Sequence, residues 1–347
     1  MESLLSKLLD FLPDPIVTVD AKRQIVDANE LAKDLLGAEI EGRALALSFR
    51  HPEALAAIDS VLDGKDTERR VEVAMQVPVL RYFEVRVSVL SDGIAATGRA
   101  IIVLHDVTVA KGAEQMRADF VANVSHELRS PLAALFGFIH TLQGHARDDP
   151  EARDRFLGIM ESEAARMKRL IDDLLSLSKV EANEHVAPEQ RADIAKIARG
   201  VHETLAMRAE ERGIEIRIEC PSDQVEVIGD SDELTMVVHN LVDNAVSYGE
   251  PDTIVGAKIE PVDRIPVTGS PGISIAVNNA CEGIAPEHIA RLTQRFYRID
   301  KARSRATGGT GLGLAIVKHV VNRHRGHLAI DSRPGVGVTF TVFLPTG

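Results

Sequence analysis

His126 and Glu127 stand side by side in FVANVSHELRSPL, residues 120–132. Val121 and Leu128 fit the a positions of a helical heptad and Val124 fits d, which puts His126 at f, facing solvent. An exposed imidazole is in good part neutral near pH 7 and nucleophilic. An adjacent carboxylate can hold a ring N–H, fix the tautomer and raise basicity. Pro131 removes an intrahelical hydrogen bond and is expected to bend or loosen the helix just after the histidine. Seen alone, such a pair is more often an ordinary surface histidine. A zinc-protease HExxH motif is excluded, because Ser130 stands where the second histidine is needed.

Three further stretches suit nucleotide chemistry. On a helix over 231–248, Leu234, Val237, Val238, Leu241 and Ala245 share an apolar face, and Asn240, Asn244 and Ser247 line up at i, i+4 and i+7 beside it. Carboxamides on one line offer oxygens to a hard cation and N–H groups to phosphates, although a solvated polar edge has the same spacing. GGTGLGLAIVKHVV, residues 308–321, is a glycine-rich turn running into a helix, where backbone N–H groups favour anions. It is neither a Walker A loop nor the GxGxxG dinucleotide fingerprint. VNNACEGI, residues 277–284, places two asparagines, a cysteine and a lone glycine where a strand stops. His319, His324 and His327 have no compact metal-ligand spacing and sit among Arg323 and Arg325. They read as residues of a helix C-terminus before a stop at Gly326.

The elements that must position these groups fall into three regions: 1–107, 108–185 and 186–347. In the first, IVTVD (16–20) and QIVDAN (24–29) read as strands around a turn at Ala21–Arg23. Helices follow over 30–37 and 51–64, and then RRVEVAMQV, RYFEVRVSVL and GRAIIVLHDVT as strands of period two. A five-stranded antiparallel sheet with helices on one face is the economical arrangement. His51 reads as a loop or cap residue, and no ligand is specified for this region. In the second, Val121, Val124, Leu128, Leu135 and Leu142 form a narrow seam, with Leu132 and Ile139 beside it. Asp149-Pro150 starts another helix, with a seam of Met160, Ala164, Met167, Ile171 and Leu174. One hairpin buries two such seams poorly, so pairing into a dimeric four-helix bundle is expected. The third is mixed α/β: helices over DIAKIARGVHETLAMRAEERG, 231–248 and LAIVKHVVNRHRG, and strands IEIRIEC, QVEVIG, GISIAVN, HLAIDS and GVTFTVFLP. A capping arrangement from Asp230 to Glu233 and a stop at Gly249 bound the helix over 231–248.

The chain has 347 residues and a net charge of −12, which excludes nucleic acid as a general partner. Cys220 and Cys281 are its two cysteines, far apart, as in a reducing compartment. No apolar run approaches the ~18 residues of a membrane span. The start, MESLLSKLLDFL, is amphipathic and lacks a signal-peptide core. A cytoplasmic chain is expected, or one that follows a removed membrane segment.

Taken together, these stretches resemble the boxes of sensor histidine kinases of two-component systems. FVANVSHELRSPL resembles the H-box, HNLVDNAVSYG the N-box, RFYRID (295–300) the F-box and GGTGLGL the G2 box, in order over 110–347. LPDPIVTVD and the run from IIVLHDVT into the H-box are similar to the PAS domain of the phosphate-regulon sensor kinases entering its kinase core. The resemblance implies an α+β multidomain protein: a PAS-like α/β domain, an antiparallel hairpin forming a dimeric four-helix bundle, and a C-terminal α/β sandwich of the Bergerat type. By the same resemblance His126 accepts the γ-phosphoryl group of ATP and Glu127 is the assisting base. Asn244 is the Mg²⁺ ligand, Asn240 supports phosphate and metal, and Tyr248 lies near the nucleotide. Gly309, Thr310, Gly311, Leu312 and Gly313 cradle phosphate. Arg298 is chosen for the γ-phosphate, in a lid that continues through Lys301, Arg303 and Arg305. Ser247 stands where the family often has lysine, so one phosphate contact is missing. VNNACEGI falls at the G1 box, with Asn279 at the adenine-binding Asp position, Cys281 at the first Gly, and Gly283 and Ile284 closing the motif. A side chain at Cys281 adds ~1–2 kcal/mol of strain if that position needs positive φ.

The implied activity is autophosphorylation of His126 and transfer to an aspartate of a separate response regulator in trans. Ser130, four residues after His126, stands where the family's phosphatase-competent members carry Thr or Asn. The rival reading is a dimeric signalling scaffold, or a phosphatase-biased regulator, with ATP binding weakened by Asn279 and Cys281.

Overall fold

The computed structural model describes residues 9–90, 98–144, 146–300 and 309–346. Lys301, Arg303 and Arg305 lie outside them, as does most of the amphipathic start. The chain divides into two compact units, 1–122 and 123–347. Among the described residues no helix is long and apolar enough to cross a membrane.

In the first unit, period-two sequences make the sheet. Its elements are β1 (Ile16–Val19), β2 (Ile25–Ala28), α1 (Glu30–Leu36), α2 (Leu45–Ser48), α3 (Pro52–Leu62), β3 (Glu68–Val77), β4 (Val79–Leu90) and β5 (Arg99–Asp106). The strands lie in the order β2-β1-β5-β4-β3, each pair antiparallel, as expected. Phe83, Val85 and Val87 of β4 and Ala100, Ile102 and Leu104 of β5 alternate onto one buried face. They form one core with Ala54, Ala57, Ile58 and Val61 of α3. The first turn works because Asp20 Oδ1 accepts the N–H groups of Lys22 and Gln24 while Arg23 takes positive φ. His51 is the N-cap residue of α3 and makes no side-chain cap bond. At the exit from β5, Asp106 Oδ1 accepts Thr108 N–H and Thr108 Oγ1 accepts Tyr82 N–H, both at 2.9 Å. The hydrogen bonding from Thr108 holds the Asp106 carboxyl below the usual carboxylate range.

The hairpin is α4 (Thr108–Gln143) and α5 (Pro150–Ala182). α4 runs unbroken through Pro131, which is buried. Asp149 caps α5 by accepting Ala152 N–H at 3.0 Å, with Pro150 at the first helical position. Val124, Leu128, Leu135 and Leu142 are half-buried in the single chain, whereas Leu132, Phe136 and Ile139 of α4 are exposed, and so are Leu157, Ile171 and Leu175 of α5.

The C-terminal part comprises β6 (Arg191–Asp193), α6 (Ile194–Glu210), β7 (Glu215–Glu219), β8 (Glu226–Ile228), α7 (Ser231–Tyr248), β9 (Ile254–Val262), β10 (Gly272–Asn279), α8 (Pro286–Ile289), α9 (Gly313–Arg323), β11 (His327–Arg333) and β12 (Gly337–Pro345). The sheet order is β11-β12-β10-β9-β7, antiparallel except for β7 with β9, and β6 pairs with β8. α7 lies between α6 and α9, its apolar face of Leu234, Val237, Val238, Leu241 and Ala245 buried on the sheet side. β9 is not among the expected strands, although Val255, Ala257 and Ile259 alternate onto its buried face. α5 packs on α9, and its deepest side chains are Leu170, Leu177 and Val180, not the expected seam. In that seam Met160, Met167 and Leu174 are half-buried, while Ala164 and Ile171 are exposed. α5 carries two apolar stripes because it serves two neighbours, and periodicity alone selected the one toward α4.

The start of α7 also departs from expectation. Asp230 caps it, accepting the N–H groups of Asp232 and Glu233. The Glu233 side chain does not reach back as a capping box requires, and instead pairs with Arg323. His324 takes its place: Nε2 accepts Asp230 N–H at 3.0 Å, and Nδ1–H donates to Val320 O at 2.8 Å. Gly249 ends the helix in extended backbone, where a Cβ would lie 2.7 Å from Ala245 O. Burial holds the His324 imidazole below its usual pKa, against the pull of Val320 O. Unfolded chains therefore bind the extra proton first, and stability falls as pH drops through ~6.5 toward the folded value. We expect His324→Gln to be less stable than wild type near pH 7.5 yet to lose less on moving to about pH 5.5, as read by thermal unfolding. Parallel losses in the two proteins would contradict this role.

Candidate functional site

The middle helix α7 carries Asn240, Asn244 and Tyr248, all half-buried along one side. Asn240 Nδ2 donates to Met236 O at 2.9 Å, and its Oδ1 faces the start of α9, where a Cβ on Gly313 would lie 2.6 Å away. Only glycine permits that approach. No side chain caps α9, whose N-cap residue is the buried Leu312. Such a helix start suits an anion. Thr310 Oγ1 accepts Leu312 N–H at 3.3 Å.

The two flanks of residues 301–308 close on each other. Phe296 N–H donates to Gly311 O at 2.8 Å. Phe296 has φ 63° and Gly311 φ 76°. A Cβ on Gly311 would lie 3.0 Å from Phe296 Cα and 3.1 Å from Arg298 Nε. A bulky residue at positive φ is uncommon and is held by its surroundings. Here those include Tyr297, anchored by His288 at 2.6 Å and by Arg291 stacked 4.3 Å from its ring centre.

At the end of β10, Asn279 is buried and makes one long contact, Nδ2 to Ala280 O at 3.4 Å. Gly337 passes so close that a Cβ there would fall 2.2 Å from Asn279 O. Gly283 has φ 84°, and Ile284 N–H donates to Ser332 Oγ at 2.7 Å. Cys281 is absent from the positive-φ residues, so the strain expected at that position does not exist. The turn places its left-handed residue at Gly283, the glycine the sequence keeps.

Ser247 does not face the same space as Asn240 and Asn244. It is buried against α6: Arg208 Nη2 donates to Ser247 Oγ at 3.0 Å, Arg212 Nη2 donates to Ser247 O at 3.1 Å, and Arg208 also pairs with Asp243. The three residues share a nominal line, but two guanidiniums claim the last of them.

His126 and Ser130 are exposed on α4, one turn apart. Glu127 is turned inward. Its Oε2 accepts from Arg166 Nη2 of α5 at 2.8 Å and lies 3.6 Å from Arg298 Nη2. The carboxylate thus serves these cations, not the His126 ring. Arg298 joins α4 to the loop beside Gly311. Further contacts join hairpin and sandwich. Thr310 Oγ1 donates to Asp173 Oδ2 at 2.6 Å, and Arg295 Nη2 lies 2.6 Å from Glu181 Oε1. His319 Nδ1 lies 2.8 Å from Glu184, and Asn322 donates to the same carboxylate at 3.1 Å. Desolvation raises the Asp173 pKa against the Thr310 bond. At Glu184 desolvation also acts upward, but the His319 and Asn322 bonds outweigh it and leave the carboxyl below its usual range. His319 therefore acts as a tether, beyond the helix-end role expected of it. Arg166, Asp173 and Glu184 had no sequence signal, since each is defined by a partner 39 to 138 residues away.

Comparison with known proteins agrees with this geometry. Residues 229–347 match the family of histidine kinase-, DNA gyrase B- and HSP90-like ATPases. Residues 116–183 match the His Kinase A phospho-acceptor domain, and 3–71 a PAS domain. The phosphate regulon sensor protein PhoR of Pseudomonas aeruginosa is 32% identical over 333 residues, covering 95% of this chain and 71% of that protein. The sensor-like histidine kinase SenX3 of Mycobacterium tuberculosis is 33% identical over 356 residues, 99% of this chain and 80% of that one. The crystal structure of histidine kinase ThkA in complex with response regulator protein TrrA has the same fold, with a TM-score of 0.53 over 98% of both chains at 23% identity.

Proposed function

Because this chain belongs to the sensor histidine kinases of two-component systems, ATP-dependent enzymes that pass phosphate to a response regulator, we propose that His126 is its phosphoacceptor and that the nucleotide lies between α7 and the start of α9. The observation that carries this reading is the meeting of Asn240, Gly313, Gly311 and Arg298, with Arg298 3.6 Å from the residue next to His126. Asn240 and Gly309–Gly313 hold the phosphates, Tyr248 borders the nucleotide, and Asn279, Gly283 and Ile284 form the adenine end. Asn244 offers one neutral oxygen, which fits Mg²⁺, a cation that keeps several waters and takes phosphate oxygens as ligands. Bound there, Mg²⁺ neutralises charge on the phosphates.

A neutral ring nitrogen of His126 attacks the γ-phosphorus while the bond to the bridging oxygen of ADP breaks. Arg298 stabilises charge on the transferring group. Glu127 assists as base once it exchanges its guanidinium partners for the imidazole. The phosphoryl group then passes to an aspartate of a regulator in trans. The bare apolar residues Leu132, Phe136 and Ile139 on α4, with Leu157 and Leu175 on α5, support pairing of two hairpins into a four-helix bundle. The transfer step is tested with a purified response regulator. Label must leave the kinase and appear on the regulator, and its persistence on the kinase would overturn that partner assignment. The exposed Ser130 hydroxyl, one turn from His126, suits orienting a water on a phosphorylated regulator. A regulator whose label decays equally with and without this protein would rule that activity out.

The adenine end gives a quantitative expectation. Asn279 accepts the adenine amino group through a neutral amide, whereas an aspartate would add charge, and charge-assisted bonds are roughly twice as strong. Asn279→Asp should tighten ATP by about fivefold in a calorimetric titration, about 1 kcal/mol. Cys281→Gly relieves no strain and should add nothing. Unchanged or weaker binding in Asn279→Asp would mean that this turn does not receive the amino group.

A further inference from the structure

Three hairpin carboxylates reach the described residues on either side of 301–308, and two of them, Glu127 and Asp173, lie against groups of the proposed nucleotide site. Glu127 lies 3.6 Å from Arg298, and Glu181 lies 2.6 Å from Arg295. Asp173 goes furthest. It is half-buried, and it accepts the Thr310 hydroxyl at 2.6 Å. The same hydroxyl accepts Leu312 N–H, so one backbone donor at the start of α9 is already taken. The groups acting on Asp173 through space are Arg169 and Asp172 of its own helix and His239 of α7, the residue before Asn240. A carboxylate therefore stands at the mouth of the anion site, bonded to the loop that would wrap the phosphates.

We propose that Asp173 is an internal competitor of ATP: a hairpin carboxylate that occupies Thr310 and the α9 start, so that docking of the sandwich on the hairpin and binding of nucleotide oppose each other. The physical basis is twofold. A fixed negative charge at the site repels the triphosphate in a partly dry environment, and Thr310 cannot donate one proton to both acceptors. By linkage, whatever docking costs nucleotide binding, nucleotide binding costs docking. A signal that loosens the hairpin then raises ATP affinity without touching the nucleotide site. The inference rests on the nucleotide site proposed above.

The test is ATP titration of the whole chain, wild type against Asp173→Asn, Asp173→Ala and Asp172→Asn. Asn keeps the shape and removes the charge, and Asp172 is the exposed neighbour on the same helix. Both Asp173 variants should bind ATP at least about fivefold tighter, the low end of measured site couplings, and Asp172→Asn should match wild type. Initial autophosphorylation rates should rise by the same factor at low ATP and converge at saturation. Equal affinities in wild type and both Asp173 variants would overturn the competitor role while leaving the nucleotide site standing. An equal gain in Asp172→Asn would reduce the effect to general charge and also overturn it. No ATP binding by any of the four proteins would remove the nucleotide site, and this inference with it.

Discussion

A His126→Gln protein should bind ATP within about twofold of wild type and incorporate no phosphoryl group. His126 is exposed on α4. Exposed substitutions of this kind usually shift stability by no more than about 0.5 kcal/mol. The proposed nucleotide groups all lie outside α4, so affinity should survive. Glutamine keeps hydrogen-bonding capacity but has no nucleophilic nitrogen, so chemistry should stop. Loss of transfer with retained binding is the signature of a group needed only in the reaction. His140 makes the experiment sharper. It is exposed on the same helix fourteen residues on, nearly on the same face and about 21 Å further along. A protein in which His140 or any other residue took the phosphoryl group would keep its label in the His126→Gln variant.

Gly311→Ala should weaken ATP binding by about 30- to 150-fold. A side chain at that positive φ costs ~1–2 kcal/mol. The added Cβ would also lie 3.0 Å from Phe296 Cα and 3.1 Å from Arg298 Nε, in a place where backbone must give way. Together the two effects amount to about 2–3 kcal/mol, provided the nucleotide requires the loop as it stands. Thermal stability should fall little, because Gly311 lies in a loop outside the sheet core. Equal nucleotide affinity in Gly311→Ala and wild type, by titration, would mean that this turn does not cradle phosphate.

Local rules read the parts of this chain that obey them. Alternation in β4 and β5, the Asp149-Pro150 helix start and the apolar face of α7 each depend on neighbours in sequence, and each folds as expected. The failures share a different cause. Ser247 shares a nominal line with Asn244, yet Arg208, 39 residues away, draws it to α6. Glu233 has capping-box spacing, but Arg323 takes its carboxylate and His324 takes the vacated N–H. α5 buries a second stripe because α9 lies against it. The motif would strain Cys281 only if its position needed positive φ, whereas the turn carries its left-handed residue at Gly283. The candidate site's motif residues stand out by their order along the chain. The carboxylates that restrain them were not, because Asp173, Glu181 and Glu184 look like any solvated helix surface until the sandwich is in place.

If ATP bound beside α7 phosphorylates His126, incubation of the wild-type chain with γ-labelled ATP and Mg²⁺, followed by peptide mapping, should place the label on the single peptide containing His126. That label should be acid-labile and base-stable, as expected for a phosphorus–nitrogen bond. Label at another residue, or none at millimolar ATP, would contradict phosphorylation of His126, and the latter would leave a dimeric scaffold in place of a kinase.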